Sequence, residues 1–367
     1  MATRGPGMGA VYQRGNATRG RGVRRPMPSA PALRLGCSLT LLLFGCGDRG
    51  AAPVAEVDAA PSQREVVSAP TPPRVLDWQA LAEAALAGRG EAGAIVILDA
   101  KDGALLGLAE KAGRVEHPAA TARHPASSIK PLVALAALAE GKVDPIETVR
   151  CAGPRQIDGV SYTCFDDHGE VNLDRALRTS CNHFAYEIAT RLSFEELDTH
   201  LRNFGLGRAT GLLPKELGEE QLGAIAAGDE IANAIGHGGL MATPLQMARA
   251  YAALATGRIP ARVEAPLPYR PAQLGKIQKA LVGTVEDAEG SGTEARIDGL
   301  HIAGKTGTAE LEAVEGDGSK YLSWFASWAP AEDPQIVVVV QLESEEPAPT
   351  SAVPAVRPIY EALSKDP

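Results

Sequence analysis

Aromatic residues make up only 4% of the 367 residues, so Ala, Leu and Val must fill any core the chain builds. No stripe of basic residues is present and the formal net charge is −9, which argues against a nucleic-acid partner. The apolar stretch 33–44 falls short of the about 20 residues that a membrane-spanning helix needs. Cysteine is sparse, at five residues. What is present is ordinary for a globular protein: 45% hydrophobic and 22% charged residues, enough for a sizeable core. The length allows two average domains or one large one with appendages.

Charge is unevenly placed. Residues 1–46 hold seven Arg and no Asp or Glu, and an arginine-bearing start before a short apolar stretch reads as an export signal. Its end, Leu42-Leu43-Phe44-Gly45-Cys46, resembles a bacterial lipobox, in which Cys46 is lipidated after cleavage and anchors the chain to a membrane. An ordinary signal with a chance cysteine is the alternative. Met27 is a second candidate start, because the residues before it look like untranslated low-complexity sequence. Residues 47–75 are rich in Ala, Pro and acidic side chains and read as a flexible tether. The folded body is expected to be a single domain, residues 76–367, held at the periplasmic face of a bacterial membrane.

Within that body, residues 77–86 have the spacing of a short amphipathic helix. Residues 93–98 form an apolar run of strand length, Lys101-Asp102-Gly103 a turn, and residues 104–109 the returning strand. A long helical stretch is expected from 127 to about 254. Strands resume at 300–308, 324–328 and 335–342, and an amphipathic helix closes the chain at about 352–363. This order predicts an α/β (α+β) fold: one antiparallel five-stranded sheet flanked by helices, with a large helical insertion.

That insertion opens on Pro125-Ala126-Ser127-Ser128-Ile129-Lys130-Pro131, and residues 131–138 are apolar all round, the mark of a helix buried on every side. Proline fits only the first turn of a helix, so Pro131 places the helix start near Ser127. The Ser127 N–H is then available to an oxyanion, and Lys130 shares its face within reach of the hydroxyl. A serine needs a base to attack a carbonyl, and a desolvated lysine can serve. Taken alone, the pattern is common by chance and better fits a capping serine and a snorkelling lysine.

Two more segments carry polar groups suited to the same chemistry. In Thr179-Ser180-Cys181-Asn182, at the junction of two predicted helices, Ser180 can relay a proton and Asn182 can grip a peptide carbonyl, though both also suit helix capping. In Gly304-Lys305-Thr306-Gly307-Thr308, on a predicted edge strand, glycine lets another backbone lie close. Lys305 with Thr306 or Thr308 offers donors to a carboxylate, and the Thr308 N–H can complete an oxyanion hole.

The order of the three segments resembles the transpeptidase domain of penicillin-binding proteins, over residues 93–363. Residues 94–104, His168-Gly169, residues 228–238, Thr243-Pro244-Leu245-Gln246 and residues 324–334 resemble that family as well. The resemblance implies Ser127 as acylated nucleophile, Lys130 as its base, Ser180 as proton relay and Asn182 as amide ligand. Lys305, Thr306, Gly307 and Thr308 would form the carboxylate-binding strand. The implied reaction is D,D-transpeptidation on peptidoglycan stem peptides, with β-lactams as inhibitors and no cofactor required for catalysis. A serine β-lactamase, a D,D-carboxypeptidase and a β-lactam-binding sensor are the alternatives. Fast deacylation needs a base, for which only Glu216, Glu219 and Glu220 suggest themselves. His237 stands where the family commonly has glutamine.

Cys151, Cys164, His168 and Cys181 make a further set: three thiolates and an imidazole would suit a structural zinc. A Cys151–Cys164 disulfide is the rival, favoured by export.

Overall fold

A computed structural model of the chain describes residues 76–214, 230–259 and 265–365. The export signal, Cys46, the tether and the three glutamates at 216–220 lie outside the described residues. Helix α1 (Trp78–Arg89) begins where the Asp77 side chain accepts from the N–H of Ala80. Strands β1 (Ala92–Asp99) and β2 (Leu105–Lys111) follow, then α2 (Lys130–Ala139), β3 (Val149–Cys151), β4 (Arg155–Ile157), β5 (Val160–Tyr162) and β6 (Gly169–Val171). Helices α3 (Leu173–Arg178), α4 (Asn182–Ala189), α5 (Phe194–Asn203), α6 (Glu230–Ala234) and α7 (Pro244–Thr256) come next. After β7 (Arg258–Ile259), β8 (Ala265–Pro266) and α8 (Pro271–Glu286), the chain runs through β9 (Ala303–Glu310), β10 (Tyr321–Ala329) and β11 (Ile336–Ser344) to α9 (Arg357–Ser364).

The main sheet has five strands in the order β2-β1-β11-β10-β9, antiparallel at each pairing. The first and last segments of the fold therefore meet at its centre, where β1 pairs with β11. Both strands are buried on both faces, which explains their uninterrupted apolar runs. Successive residues point to opposite faces. Ile95, Ile97, Val338 and Val340 pack with Leu86, Ile359 and Tyr360 of α1 and α9. Val96, Leu98, Val337 and Val339 instead join a larger core with α2, α7 and α8. Aliphatic side chains fill both layers, with Trp324 and Trp328 among the few large rings. No helix among the described residues is long and apolar enough to cross a membrane.

One element matches its sequence signature residue for residue. Thr243 caps α7: its hydroxyl accepts from the Gln246 N–H at 3.0 Å and the Gln246 carboxamide accepts from the Thr243 N–H at 2.9 Å, with Pro244 in the first turn. The expected long helical stretch from 127 to about 254 needs correction. Two small hairpin-like pairs, β3 with β6 and β4 with β5, interrupt it. Strands of three residues are too short to show an alternating pattern, so nothing in the sequence announces them.

Candidate active site and adjoining cysteine cluster

Ser127 lies in a 3₁₀ turn, Ala126–Ile129, that leads directly into α2. The helix proper starts three residues later than Pro131 alone suggested, and the proline still falls in its first turn. Backbone contacts hold the turn. Arg123 and Ala242 exchange both N–H···O bonds at 3.0 and 2.9 Å, and Ala126 donates to the Gly236 carbonyl at 3.0 Å. Ala126 itself has φ +48°, a conformation that costs an alanine of order 1 kcal/mol. A Cβ on Gly236 would come within 2.1 Å of the Ala126 oxygen, so only glycine allows the approach. Tyr251 Oη donates to the Ser128 carbonyl at 2.6 Å from beneath. Neither the hydroxyl nor the N–H of half-buried Ser127 has a hydrogen-bond partner among the described residues.

The second segment meets the first through Lys130. Its ammonium donates to the Ser180 carbonyl at 2.7 Å and to Asn182 Oδ1 at 2.6 Å, rather than to the Ser127 hydroxyl. Burial pulls its pKa down to about 8, because a charged amine loses its water there. Ser180 has φ +60°, a sharp turn between α3 and α4 that faces its carbonyl toward Lys130.

The third segment is β9, the edge of the sheet. A Cβ on Gly307 would lie 2.7 Å from the Pro125 oxygen and 2.9 Å from the Ser128 nitrogen, so the strand rests directly on the turn that carries Ser127. Lys305 is fully buried. Desolvation, then the neighbouring charge of Lys130, pushes its pKa well below the usual lysine value. Its ammonium donates to the Thr306 carbonyl at 3.1 Å. Thr306 Oγ1 is hydrogen bonded to Ser291 Oγ at 2.7 Å, and Thr308 Oγ1 accepts from the Ala348 N–H at 3.1 Å. Alternation sends Lys305 toward the helical layer, with Ala303 and Ala309, and the two threonines to the other side. A ligand along the outer flank of an edge strand can meet both.

Beside the second segment, Cys151, Cys164, His168 and Cys181 bring their ligand atoms within 4.8 Å of one another. Three elements assemble them: β3 ends at Cys151, which pairs with Gly169 of β6, and Cys181 precedes α4. His168 Nδ1 lies 3.4 Å from Cys151 Sγ and 3.5 Å from Cys164 Sγ. A tetrahedral zinc has sulfur–nitrogen edges of about 3.6 Å, from its ordinary bond lengths, so the four side chains fit the ion. All three thiols are free in this structure. The Asn182 N–H donates to Cys164 Sγ at 3.2 Å, which ties the cluster to the residue that Lys130 also grips. A hydrogen bond from Cys181 holds the Cys164 thiol well below its usual pKa, and the same contact raises Cys181.

Sequence reasoning missed Ser291 and the close approach of Gly236 to Ala126. A serine between two glycines gave no chemical signal. The glycine-rich run at 236–239 was visible, but not what it touches. The stacked rings of His124 and His237, 5.7 Å apart, flank the same contact.

The chain matches the family model described as the penicillin binding protein transpeptidase domain over residues 93–362. It is 27% identical over 287 residues to the peptidoglycan D,D-transpeptidase MrdA of Haemophilus influenzae, covering 65% of this chain and 44% of that protein. It is 28% identical over 298 residues to the peptidoglycan D,D-transpeptidase FtsI of Escherichia coli, covering 74% and 50% respectively. The chain thus spans about half the length of the curated relatives it matches. Pseudomonas aeruginosa PBP2, solved in complex with WCK 5153, aligns with a TM-score of 0.64 at 26% identity, over 77% of this chain and 76% of that one. The D,D-transpeptidase domain of a peptidoglycan glycosyltransferase from Eggerthella lenta aligns at 0.65 with 23% identity, covering 79% and 82%.

Proposed function

Because the chain belongs to the penicillin-binding-protein transpeptidase family, we propose that it is a serine D,D-transpeptidase of peptidoglycan stem peptides, acylated in the same way by β-lactams. The carrying observation is the convergence of three distant segments. Lys130 reaches Ser180 and Asn182, and Gly307 seats β9 on the turn of Ser127.

In this reading Ser127 Oγ attacks the carbonyl of the D-Ala–D-Ala bond while neutral Lys130 takes its proton. The Ser127 and Thr308 N–H groups hold the oxyanion. Collapse breaks the peptide bond, the proton on Lys130 passes through the Ser180 hydroxyl to the leaving amine, and D-alanine departs. The amine of a second stem peptide then attacks the ester, its proton returns by the same route through Ser180 and Lys130 to the Ser127 oxygen, and the cross-link forms. Asn182 grips the substrate amide, and Lys305, Thr306 and Thr308 receive the terminal carboxylate.

Cys151, Cys164, His168 and Cys181 would hold a structural zinc. A closed set of four protein ligands leaves no position for water, so the ion would cross-link the loop and take no part in acyl transfer. Metal analysis of protein purified without chelator tests this, and protein without zinc ends the idea. Residues 1–46 fit an export signal with Cys46 as lipid attachment site, which would place the domain at the periplasmic face. Mass analysis of the mature N-terminus decides that point.

A fluorescent penicillin tests the activity. A long-lived adduct, absent in Ser127→Ala, together with release of D-alanine from a stem peptide, is the expected result. Rapid loss of the label would instead indicate a β-lactamase, and a stable label without D-alanine release a sensor. No label at all would remove the reading.

A further inference from the structure

We propose that Ser291 is a positioning residue of the carboxylate subsite, fixing the hydroxyl of Thr306 so that its proton points at the incoming anion. The proposal rests on the reading of Lys305 and Thr306 as that subsite. Ser291 Oγ lies 2.7 Å from Thr306 Oγ1, and Lys305 Nζ lies a long 3.5 Å from the same oxygen. A hydroxyl has one proton to give and two lone pairs to fill. Either hydroxyl can donate in that bond; when Ser291 donates alongside Lys305, the Thr306 oxygen is filled and its own proton is left for a ligand. Without Ser291, that hydroxyl is able to turn and accept from the ligand's surroundings instead.

The loop that presents Ser291 is anchored independently of this bond. The Ser291 N–H donates to the Arg178 carbonyl at 3.2 Å, and the Gly292 N–H to the Thr284 carbonyl at 2.9 Å. Two residues earlier, Glu289 accepts from both Arg175 Nε and Nη2 at 2.9 and 3.0 Å. A Cβ on Gly290 would sit 2.2 Å from the Thr284 oxygen, so the loop lies flat on the end of α8. The Ser291–Thr306 bond is therefore not what holds the loop in place. Its remaining consequence is the direction of one hydroxyl at the substrate strand.

The test compares a penicillin bearing its free carboxylate with the neutral methyl ester of the same compound, on the full chain. Binding before acylation and the acylation step are measured separately. Ser291→Ala is expected to weaken binding of the acid about 5- to 10-fold, the scale of one ordinary net hydrogen bond. Its acylation step should stay within about 2-fold, and the ester should bind as before. Ser291→Thr should restore the acid, and the near-isosteric Ser291→Cys, a weak donor, should fall between. Cys also serves if Ala lowers the melting temperature. Equal effects on acid and ester, or none on either while Thr306→Val discriminates between them, would overturn the proposal. If Thr306→Val and Lys305→Met also fail to discriminate, the carboxylate subsite itself is wrong, and the proposal goes with it.

Discussion

Two walls enclose the proposed nucleophile, and they are built by different means. The turn at 123–130 is held largely by main chain against main chain, through the Arg123–Ala242 pair, the Ala126–Gly236 bond and the bare Gly307, with the Tyr251 hydroxyl as a side-chain prop. The excursion at 149–182 is held by side chains: three sulfurs, an imidazole and the Arg175 guanidinium, which donates to the His168 carbonyl at 2.5 Å and the Glu170 carbonyl at 3.0 Å. The first wall sits inside a large apolar core, where extra polar side chains would lose their water. The second rests on the core through Val149, Cys151, Val171 and Cys181, but its outer strands β4 and β5 have no buried residue. The proposed zinc would add a cross-link to that outer part. The difference predicts that the walls fail separately.

The largest effect is expected at Gly236. Gly236→Ala introduces a residue at φ +77° whose Cβ meets the Ala126 oxygen at 2.1 Å. The turn must move, and an ångström of misplacement can cost on the order of 100-fold in rate. Acylation by a fluorescent penicillin should fall by that order while the metal content stays unchanged. Near-normal acylation would show that the turn is not held by this contact.

Next is the second wall. Cys181→Ser removes one side chain of the cluster next to Asn182, and losses of about 10- to 100-fold are typical when support around a metal is removed. Acylation should fall within that range, metal content should drop, and chelation of the unmutated protein should reproduce both. An acylation rate indifferent to chelator would divorce the cluster from catalysis.

Lys130 joins the walls, and its titration reports on both. Its pKa is lowered to about 8, so the neutral base is present above that pH and lost below it. Acylation should rise about tenfold between pH 7 and pH 9, the change in neutral fraction for such a group. A flat profile would mean that another group takes the Ser127 proton.

How much of this was legible depended on the range of the interaction. The Thr243 cap is readable because donor, proline and glutamine lie within four residues. The central strands are readable because burial on both faces demands an apolar run, as at 94–98 and 336–340. Pro131 located the start of α2 to within a turn, since only the first turn admits it. The cysteine set could be drawn up from spacing, but its two long intervals did not show that the pairing of β3 with β6 helps to bring the four side chains together. Ser291 and Gly236 were silent. Their roles come from what lies opposite them, Thr306 and Ala126, 15 and 110 residues away by number.

The smallest effect sharpens the comparison most, because it asks which side-chain ties in the excursion matter. Arg150 and Glu170 face each other across β3 and β6 and form an ion pair at 3.7 Å, with 77% and 55% of their side chains exposed. Water screens such a pair, and exposed pairs often contribute nothing measurable. Glu170→Gln leaves the Glu170 main-chain carbonyl in place as an acceptor for Arg175, so it removes the charge alone. Melting temperature should shift by no more than about 1 °C and acylation should not change. A loss comparable to that of Cys181→Ser would mean that the excursion is held by charge as much as by ligation, and the contrast between the walls would have to be redrawn around ion pairs.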